Sequence, residues 1–214
     1  MSTSPKYEVL YFPIHGRAEQ IRLLLHYTGT AFADTGVTDW PALKGKTPLG
    51  QLPILIDRSS GEDLVIPQSA AIMRHLARTL GAYGENEREH VLTDIVAETV
   101  QDARAKFVPV AFAARYNPPA DTIEKYWSEV LPHNLQLLEK LLNRSTKPDA
   151  GFFAGAKPTY ADLMVFDLLD GHLTMKPTCL DGNPVLKAFH ARIATQPTLI
   201  HYLATRRPSE LKTS

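Results

Sequence analysis

The sequence predicts an α/β unit followed by an all-α unit. Residues 1–81 alternate between short apolar runs, which are typical of buried strands, and amphipathic stretches, which are typical of helices. Residues 88–214 contain helical patterns alone, and the polar segment Gly81–Glu87 has the composition of a linker. Strands that alternate with helices favour a layered sheet and successive helices favour a bundle, so we expect two domains, 1–81 and 88–214.

In the first domain the predicted order is β-α-β-loop-β-β-α. The strands are apolar runs bounded by turn residues, and the helices carry apolar side chains at helical spacing. The elements are a strand over Tyr7–Phe12, a helix over about Arg17–Tyr27, a short strand near Phe32, an irregular stretch containing Trp40 and Lys44, strands over Ile54–Ile56 and Leu64–Ile66, and a helix over Ser69–Leu80. This order predicts a mixed four-stranded sheet.

In the second domain, proline positions divide the helical pattern because a proline inside a helix lacks the N–H that the helix needs. The expected elements are a helix over Arg88–Tyr116 kinked or broken at Pro109, a stop at Pro118-Pro119, a helix over Ile123–Leu142 that Asp121 caps and Pro132 disturbs, and short helices after Pro184 and Pro197. Thr159 and Asp162 have the capping-box spacing before an apolar helix over Leu163–Leu173.

The composition excludes several classes of function. Lysine plus arginine total 23 and aspartate plus glutamate total 23, so no bulk charge attracts nucleic acid or a membrane surface. The single cysteine, Cys179, excludes an internal disulfide and fits a reducing, cytoplasmic compartment. The 8 histidines lack metal-ligand spacing, so no metal is expected. No apolar run approaches the ~20 residues of a membrane span.

Three short segments within the first seventy residues indicate the chemistry. Tyr11 lies near the end of an apolar run, and Pro53 opens another. A cis Leu52–Pro53 bond would present the main-chain N–H and C=O groups of Leu52 to a ligand. Ser69, after Gln68, lies near a helix start, where free N–H groups suit a carboxylate. A phenol, an exposed peptide edge and an anion site together suit a small anionic peptide whose reactive group the phenol activates.

These segments resemble the cytosolic glutathione S-transferases of the tyrosine type, with class pi closest and class sigma second. The resemblance rests on Tyr7–Arg17, Leu49–Pro53, Gln68–Gly84, Asp162–Leu169 and Cys179–Asp181, and it extends over nearly the whole chain. It implies a thioredoxin-like first domain, an all-helical second domain that carries much of the electrophile pocket, and a homodimer. The implied reaction is the detoxifying conjugation of glutathione, a co-substrate, to hydrophobic electrophiles. Isomerase or peroxidase activity is a variant within the same class.

The resemblance also assigns roles to residues. Tyr11 would stabilise the thiolate of glutathione. The implied glutathione-binding residues are Arg17, Trp40, Lys44, Gln51, Leu52, Pro53, Gln68, Ser69 and, from the other subunit, Asp102. The implied electrophile contacts are Phe12, Ile14 and Phe112. Without the resemblance, Tyr11 would be interpreted as a core tyrosine, and Lys44 and Asp102 as solvated charges.

Several positions depart from the pi-class pattern. Phe112 stands where a tyrosine is usual and cannot donate a proton to the electrophile, and His15 replaces an arginine. Leu49 replaces the aromatic key that plugs into the neighbouring subunit. These changes affect the expected substrate range and the dimer, while the thiol-activating segment is retained. Cys179 matches a structural cysteine, so we expect it to be a core residue and not a nucleophile.

A second class of function is a non-catalytic protein of the same fold, either a ligand carrier or a structural protein like the lens crystallins derived from this family. Such proteins tend to lose parts of the site or to gain an insertion in the second domain. This chain retains the site residues named above and has no obvious insertion. Completeness of the site therefore favours an enzyme.

Overall fold

The computed structural model describes residues 5–211 and divides the chain into two compact units. The first comprises the chain up to Ala82 together with Gln196–Glu210, and the second comprises Tyr83–Thr195 together with Leu211. The outermost parts of the two predicted domains, residues 1–4 and 212–214, lie outside the described residues. No helix within residues 5–211 combines the length and the apolar character that crossing a membrane requires.

The first unit is built on a mixed four-stranded sheet, as predicted. Its strands are β1 (Tyr7–Tyr11), β2 (Phe32–Gly36), β3 (Ile54–Asp57) and β4 (Leu64–Pro67), in the spatial order β2-β1-β3-β4. The β1–β2 pair is parallel, whereas the β1–β3 and β3–β4 pairs are antiparallel. Because side chains alternate along a strand, Tyr7, Val9 and Tyr11 all face the core.

Helices cover this sheet with their apolar faces. A 3-10 turn over Gly16–Ala18 leads into α1 (Glu19–Tyr27), which packs against α3 (Ser69–Leu80). Helix α3 occupies the predicted range and ends at Gly81, whose φ of 74° is the left-handed conformation that glycine adopts most easily. The sequence thus places the start of α3, and with it Ser69, correctly.

The sequence predicts an irregular stretch around Trp40 and Lys44, and this prediction is wrong. The stretch forms the short helix α2 (Trp40–Lys44), which begins at Asp39 because the Asp39 carboxylate accepts the N–H of Ala42 at 3.1 Å. Pro41 lies in the first turn, where its missing N–H costs nothing. A single turn is too short to show helical periodicity, so only these capping signals could have predicted it.

The remaining helices follow the proline positions with some shifts. They are α4 (Glu87–Ala111), α5 (Ala113–Tyr116), α6 (Ala120–Lys125), α7 (Leu131–Leu142), α8 (Tyr160–Met175), α9 (Pro184–Ala194) and α10 (Pro197–Thr205). The long helix runs through Pro109 and breaks at Phe112. Pro119, not Asp121, precedes α6, so the predicted cap is wrong. A π-helical turn over Tyr126–Val130 lies just before Pro132, which cannot donate a main-chain hydrogen bond.

Helix α8 is the buried centre of the second unit. Its capping box is present as predicted: the carboxylate of Asp162 accepts the N–H and the hydroxyl of Thr159 at 2.8 and 2.7 Å, and the N–H of Phe153 at 2.9 Å. Burial raises the pKa of Asp162, and these donors oppose that increase. Asp162 therefore has a structural role, since all its described partners fix the start of the helix.

The last helix belongs to the first unit. Helix α10 packs against α1, and residues 196–210 lie with the sheet domain although they follow the helical domain in sequence. The hydroxyl of Tyr202 and the guanidinium of Arg206 donate to the same carboxylate oxygen of Glu19, at 2.9 and 3.0 Å. These contacts cross more than 180 residues of sequence, so no local pattern indicates them.

His172 on α8 should make the stability of the second unit depend on pH. Burial lowers the pKa of His172 to about 4; its Nδ1 lies 2.6 Å from the carbonyl of Leu168 and its Nε2 lies 2.6 Å from the hydroxyl of Tyr126. An unfolded histidine has a pKa of about 6.5, so the unfolded chain takes up a proton that the folded chain excludes. The free energy of unfolding should therefore fall as the pH drops from about 6.5 to about 4 and lose about 3 kcal/mol.

His172→Gln keeps hydrogen-bonding groups but removes the titration, so its free energy of unfolding should change less over this pH range. Chemical denaturation at several pH values measures both slopes. His133→Gln is the matched control because the His133 side chain is exposed, and it should retain the wild-type slope. A His172→Gln slope equal to wild type would show that another group carries the pH dependence.

Candidate active site

The phenol of Tyr11 lies at the end of β1, next to the turn that leads into α1. Its side chain is buried, and its hydroxyl accepts the main-chain N–H of Arg17 at 3.1 Å. The accepting lone pair is thereby occupied, and the hydroxyl proton is available for another acceptor. The sequence predicts a catalytic role for this residue, and the geometry gives it the features of a hydrogen-bond donor.

Gly16 brings the main chain directly against this phenol. Its φ of +45° is left-handed, and a Cβ placed on it would lie 2.6 Å from the Tyr11 hydroxyl oxygen and 2.8 Å from Cε1. Both the backbone conformation and the close approach therefore require glycine at this position.

The protonation state of Tyr11 follows from its surroundings. Burial raises the pKa of the phenol, the main-chain N–H and the charge of Arg17 lower it, and the Glu210 carboxylate raises it again. The net pKa lies above the ordinary value of 10.0. The phenol is therefore protonated at neutral pH and can act as a donor.

Two of the predicted aromatic residues form a row with Tyr11. The ring centroids of Tyr11 and Phe12 are 5.5 Å apart, and those of Phe12 and Trp40 are 5.8 Å apart, both in edge-to-face geometry. Ile14 is half-buried in the same loop. The structure thus brings the catalytic candidate together with one predicted glutathione contact and one predicted electrophile contact.

Arg17 lies in the 3-10 turn after β1, and further predicted peptide contacts lie between α2 and the start of α3: Lys44, Gln51, Leu52, Pro53, Gln68 and Ser69. The amide of Gln68 donates to the amide oxygen of Gln51 at 3.1 Å, and the side chain of Lys44 lies over Gly50, with Cε 3.7 Å from a Cβ placed there. The Leu52–Pro53 bond is cis. Ser69 is buried as the first residue of α3, directly after Gln68, whose φ is 72°.

Two predicted site residues lie on the second unit. Asp102 is exposed near the middle of α4, and Phe112 is half-buried where α4 ends, with its N–H bonded to the carbonyl of Val108. Glu98 lies one turn before Asp102 and is also exposed. Their roles in ligand binding stay predictions.

Comparisons with known proteins identify the family. The models described as the N-terminal and the C-terminal domain of glutathione S-transferases match residues 7–78 and 101–206. A curated relative from Caenorhabditis elegans, "Glutathione S-transferase P", is 40% identical over 201 residues, which is 93% of this chain and 92% of the relative. The chain belongs to the glutathione S-transferase family.

Solved structures agree with this assignment. The pi-class glutathione S-transferase of Onchocerca volvulus has a TM-score of 0.84 and 37% identity, with 94% of this chain and 93% of that chain covered. A glutathione S-transferase of the hookworm Necator americanus, described as monomeric, has a TM-score of 0.83 and 27% identity, with 96% and 99% covered. The expected fold, a thioredoxin-like domain followed by a helical domain, and the resemblance to class pi are therefore confirmed.

Sequence reasoning missed the buried charges that support the Tyr11 turn of this glutathione S-transferase. Arg22 is 2% exposed, and its guanidinium donates to the carbonyls of Ile14 and His15 at 2.9 and 3.3 Å. Its Nε binds both carboxylate oxygens of Asp34, at 3.1 and 3.0 Å, while Nη1 lies 3.4 Å from the Glu19 carboxylate. An arginine within the otherwise apolar run of α1 was the available signal.

Residues near the C-terminus also support the Tyr11 turn, and sequence reasoning did not predict this. The carboxylate of Glu210 accepts the N–H groups of His15 and Gly16 at 2.9 and 3.0 Å. The ring Nε2 of His15 lies 2.7 Å from the carbonyl of Arg207, and the Arg207 guanidinium binds Asp34 at 2.5 Å. Nothing local in the sequence indicated Glu210, because 195 residues separate it from His15.

Cys179 of this family member is unsuited to nucleophilic chemistry. It is half-buried, and burial raises the pKa of its thiol to about 11. A thiol with that pKa is almost entirely protonated at neutral pH, as expected of a residue that is not a nucleophile. The expectation that Cys179 is a core residue is wrong, because its side chain is only half-buried. Within residues 5–211, no group of three or more His, Cys, Asp or Glu side chains is arranged to hold a metal ion.

Gly16→Ala should displace the Tyr11 phenol, because the added methyl would overlap the hydroxyl. Gly29→Ala is the matched control: Gly29 has a φ of +65°, but no atom lies within 4 Å of the position of an added Cβ. Both variants carry backbone strain of about 1 kcal/mol, and only Gly16→Ala also moves the phenol.

We expect Gly16→Ala to unfold at a lower temperature than Gly29→Ala and to conjugate glutathione about ten- to a hundredfold more slowly. Thermal unfolding and initial rates measure these effects. Equal losses in the two variants would mean that backbone strain alone is responsible and that the contact with Tyr11 is unimportant.

Proposed function

We propose that this protein conjugates the thiolate of glutathione to hydrophobic electrophiles, and that Tyr11 stabilises the thiolate. The observation that carries the proposal is the buried Tyr11 hydroxyl, which accepts the Arg17 N–H and keeps its own proton for a ligand. Membership of the glutathione S-transferase family supplies the substrate class.

Activating the thiol of glutathione requires only a small stabilisation of its thiolate. A free thiol has a pKa of about 8.5, and lowering it by about two units requires roughly 2.7 kcal/mol of stabilisation that acts on the thiolate alone. One hydrogen bond to a charged acceptor supplies about 1.5–3 kcal/mol. A single phenol can therefore provide most of the effect, and the positive end of the helix that follows Arg17 adds to it.

We assign the binding of the two carboxylates and the main chain of glutathione to the residues that the family resemblance implies. Trp40 and Lys44 offer an indole N–H and a cation to the glycyl carboxylate. The main chain of Leu52, before Pro53, pairs with the cysteinyl unit as an added strand would. Gln68 and Ser69 suit the γ-glutamyl carboxylate. The complete proposed set is Arg17, Trp40, Lys44, Gln51, Leu52, Pro53, Gln68, Ser69 and Asp102 of a second subunit.

In this proposal the first domain binds glutathione and the helical domain carries much of the electrophile pocket. Phe12 and Ile14 contribute from the first unit and Phe112 from the second. Because Phe112 lacks a hydroxyl, electrophiles that need no proton donor, such as aryl halides, are favoured over epoxides. A reducing, cytoplasmic environment suits a chain whose only cysteine has a high thiol pKa.

Tyr11→Phe should retain glutathione binding and lose most turnover. The lost hydrogen bond stabilises the thiolate and does not contribute to binding of the carboxylates and main chain of glutathione. The ultraviolet titration of the bound thiolate should move its midpoint up by about one pH unit or more. Turnover is measured with chlorodinitrobenzene, and binding with S-methylglutathione.

Tyr7→Phe is the matched control for this experiment. Tyr7 lies on the same face of β1 and is equally buried, so the control loses one core hydroxyl without touching the site. Its midpoint should equal that of the wild type. An unchanged midpoint in Tyr11→Phe would exclude Tyr11 as the activator, whatever the control does.

We also propose that the protein acts as a two-fold symmetric homodimer, because Asp102 has its implied role only when a second subunit supplies it. Arg74 and Arg78 on α3 match arginines that line the family's interface, and they could pair with acidic residues on α4 of the second subunit, such as Glu98. Leu49, which replaces the aromatic key, is 55% exposed. A leucine buries less area than an aromatic ring, so charged contacts carry more of this interface.

The dimer should therefore weaken with salt, because the Debye length falls to about 3 Å at 1 M. Sedimentation equilibrium at low and high salt measures the dissociation constant, which we expect to rise by about tenfold between the two. Leu49→Tyr should reduce this salt dependence by restoring an aromatic key. A monomer under both conditions, as described for the Necator americanus structure, would contradict both the dimer and the role of Asp102.

A further inference from the structure

The turn between β1 and α1 has its main-chain groups bound by three different side chains. Arg22 donates to the carbonyls of Ile14 and His15, Glu210 accepts the N–H groups of His15 and Gly16, and the hydroxyl of Tyr11 accepts the next N–H, that of Arg17. The N–H groups of three consecutive residues thus point at two acceptors. Two go to Glu210 and the third goes to the phenol.

This arrangement connects the Glu210 carboxylate to the phenol through three consecutive main-chain N–H groups. Gly16 and Arg17 are adjacent residues, and Gly16 lies directly against the Tyr11 ring. The direction of the Arg17 N–H is set by the φ and ψ of Gly16, because these two angles join the peptide unit that Glu210 binds to the peptide unit that carries the Arg17 N–H. If the carboxylate releases residues 15 and 16, these angles are no longer fixed and the Arg17 N–H can turn away from the phenol. The hydroxyl of Tyr11 then loses its fixed donor, and its own proton is no longer held in one direction.

We propose that Glu210 is a positioning residue for Tyr11, one that holds the Arg17 N–H on the phenol by binding the N–H groups of His15 and Gly16. The proposal rests on the function assigned to Tyr11 above. Glu210 does not touch the reacting thiolate; it acts through the turn. The His15 ring contributes on the same side, since its Nε2 donates to the carbonyl of Arg207 and anchors the segment that carries Glu210.

Geometry and charge predict opposite effects of Glu210 on the thiol. As a negative charge near the phenol, Glu210 disfavours an anion there, so its removal would make the thiolate easier to form. As a positioning group, it strengthens the hydrogen bond to the thiolate, so its removal would make the thiolate harder to form. The charged groups that act on the phenol are Arg17, Glu210 and Arg22. All three bind in this turn: Arg17 through its main-chain N–H, Glu210 through its carboxylate and Arg22 through its guanidinium.

Two substitutions separate these effects. Glu210→Asp keeps the charge but shortens the side chain by about 1.5 Å, which withdraws the carboxylate from the two N–H groups. Glu210→Ala removes both the charge and the contact. Glu62→Ala is the matched control, because it deletes an exposed carboxylate in the turn between β3 and β4.

The readout is the midpoint of thiolate formation for bound glutathione, with affinity for S-methylglutathione as the test of an intact peptide site. We expect both Glu210 variants to raise the midpoint by about half a pH unit, roughly threefold in the ionisation constant. Turnover below the midpoint should fall by a similar factor while the affinity changes less than twofold. Glu62→Ala should match the wild type. If Glu210→Ala does not fold, Glu210→Asp carries the same comparison.

The double variant Tyr11→Phe with Glu210→Ala (or Glu210→Asp) shows whether Glu210 acts through the phenol. We expect its midpoint to equal that of Tyr11→Phe alone. A further rise in the double variant, an unchanged or lowered midpoint in Glu210→Ala, or a wild-type midpoint in Glu210→Asp would overturn the positioning role. If Tyr11→Phe itself leaves the midpoint unchanged, the role of Tyr11 and that of Glu210 both fail; if it raises the midpoint and the Glu210 variants do not, only the role of Glu210 fails.

Discussion

The main-chain groups of the turn between β1 and α1 need hydrogen-bond partners, and the first unit is organised around meeting that need. The turn must approach the Tyr11 ring closely, which requires Gly16 in a left-handed conformation, and several of its main-chain groups bind side chains instead of main-chain partners. Arg22 supplies the donors for its carbonyls, and Glu210 and Tyr11 supply the acceptors for its N–H groups. The position of the phenol therefore depends on Arg22 and Glu210, which bind the main chain of the turn.

The burial of Arg22, which binds the carbonyls of this turn, has further consequences in the first unit. A guanidinium that is 2% exposed needs compensating charge, and Asp34 on β2 and Glu19 on α1 provide it. Glu19 in turn accepts from Tyr202 and Arg206, so α10 is tied to α1 by the same network. Such a connected network is costly to break at any point, and it fixes the donor geometry before a ligand arrives.

The second unit buries polar groups in a different way. His172 is held neutral between Tyr126 and Leu168, with its ring stacked on Phe107 at 3.9 Å, and the Asp162 carboxylate is enclosed by the donors of its own capping box. Arg104 and Asp167 form a buried ion pair at 2.6 Å. The His172–Tyr126 and Arg104–Asp167 contacts join different elements of the bundle, and Asp162 fixes the start of α8, so these groups set the positions of helices in this unit.

The sequence by itself determined the features that depend on neighbouring residues. These include the strand that carries Tyr11, the start of α3 at Ser69 and the capping box of α8, because alternation, capping and helical spacing are local properties. The family resemblance extended this to the set of candidate site residues. Tertiary structure decided the assignment of α10 to the first unit and the partnership of Glu210 with His15 and Gly16. Those interactions join residues that lie almost a whole chain apart, and no periodicity or motif at either end specifies which distant carboxylate will satisfy a given N–H group.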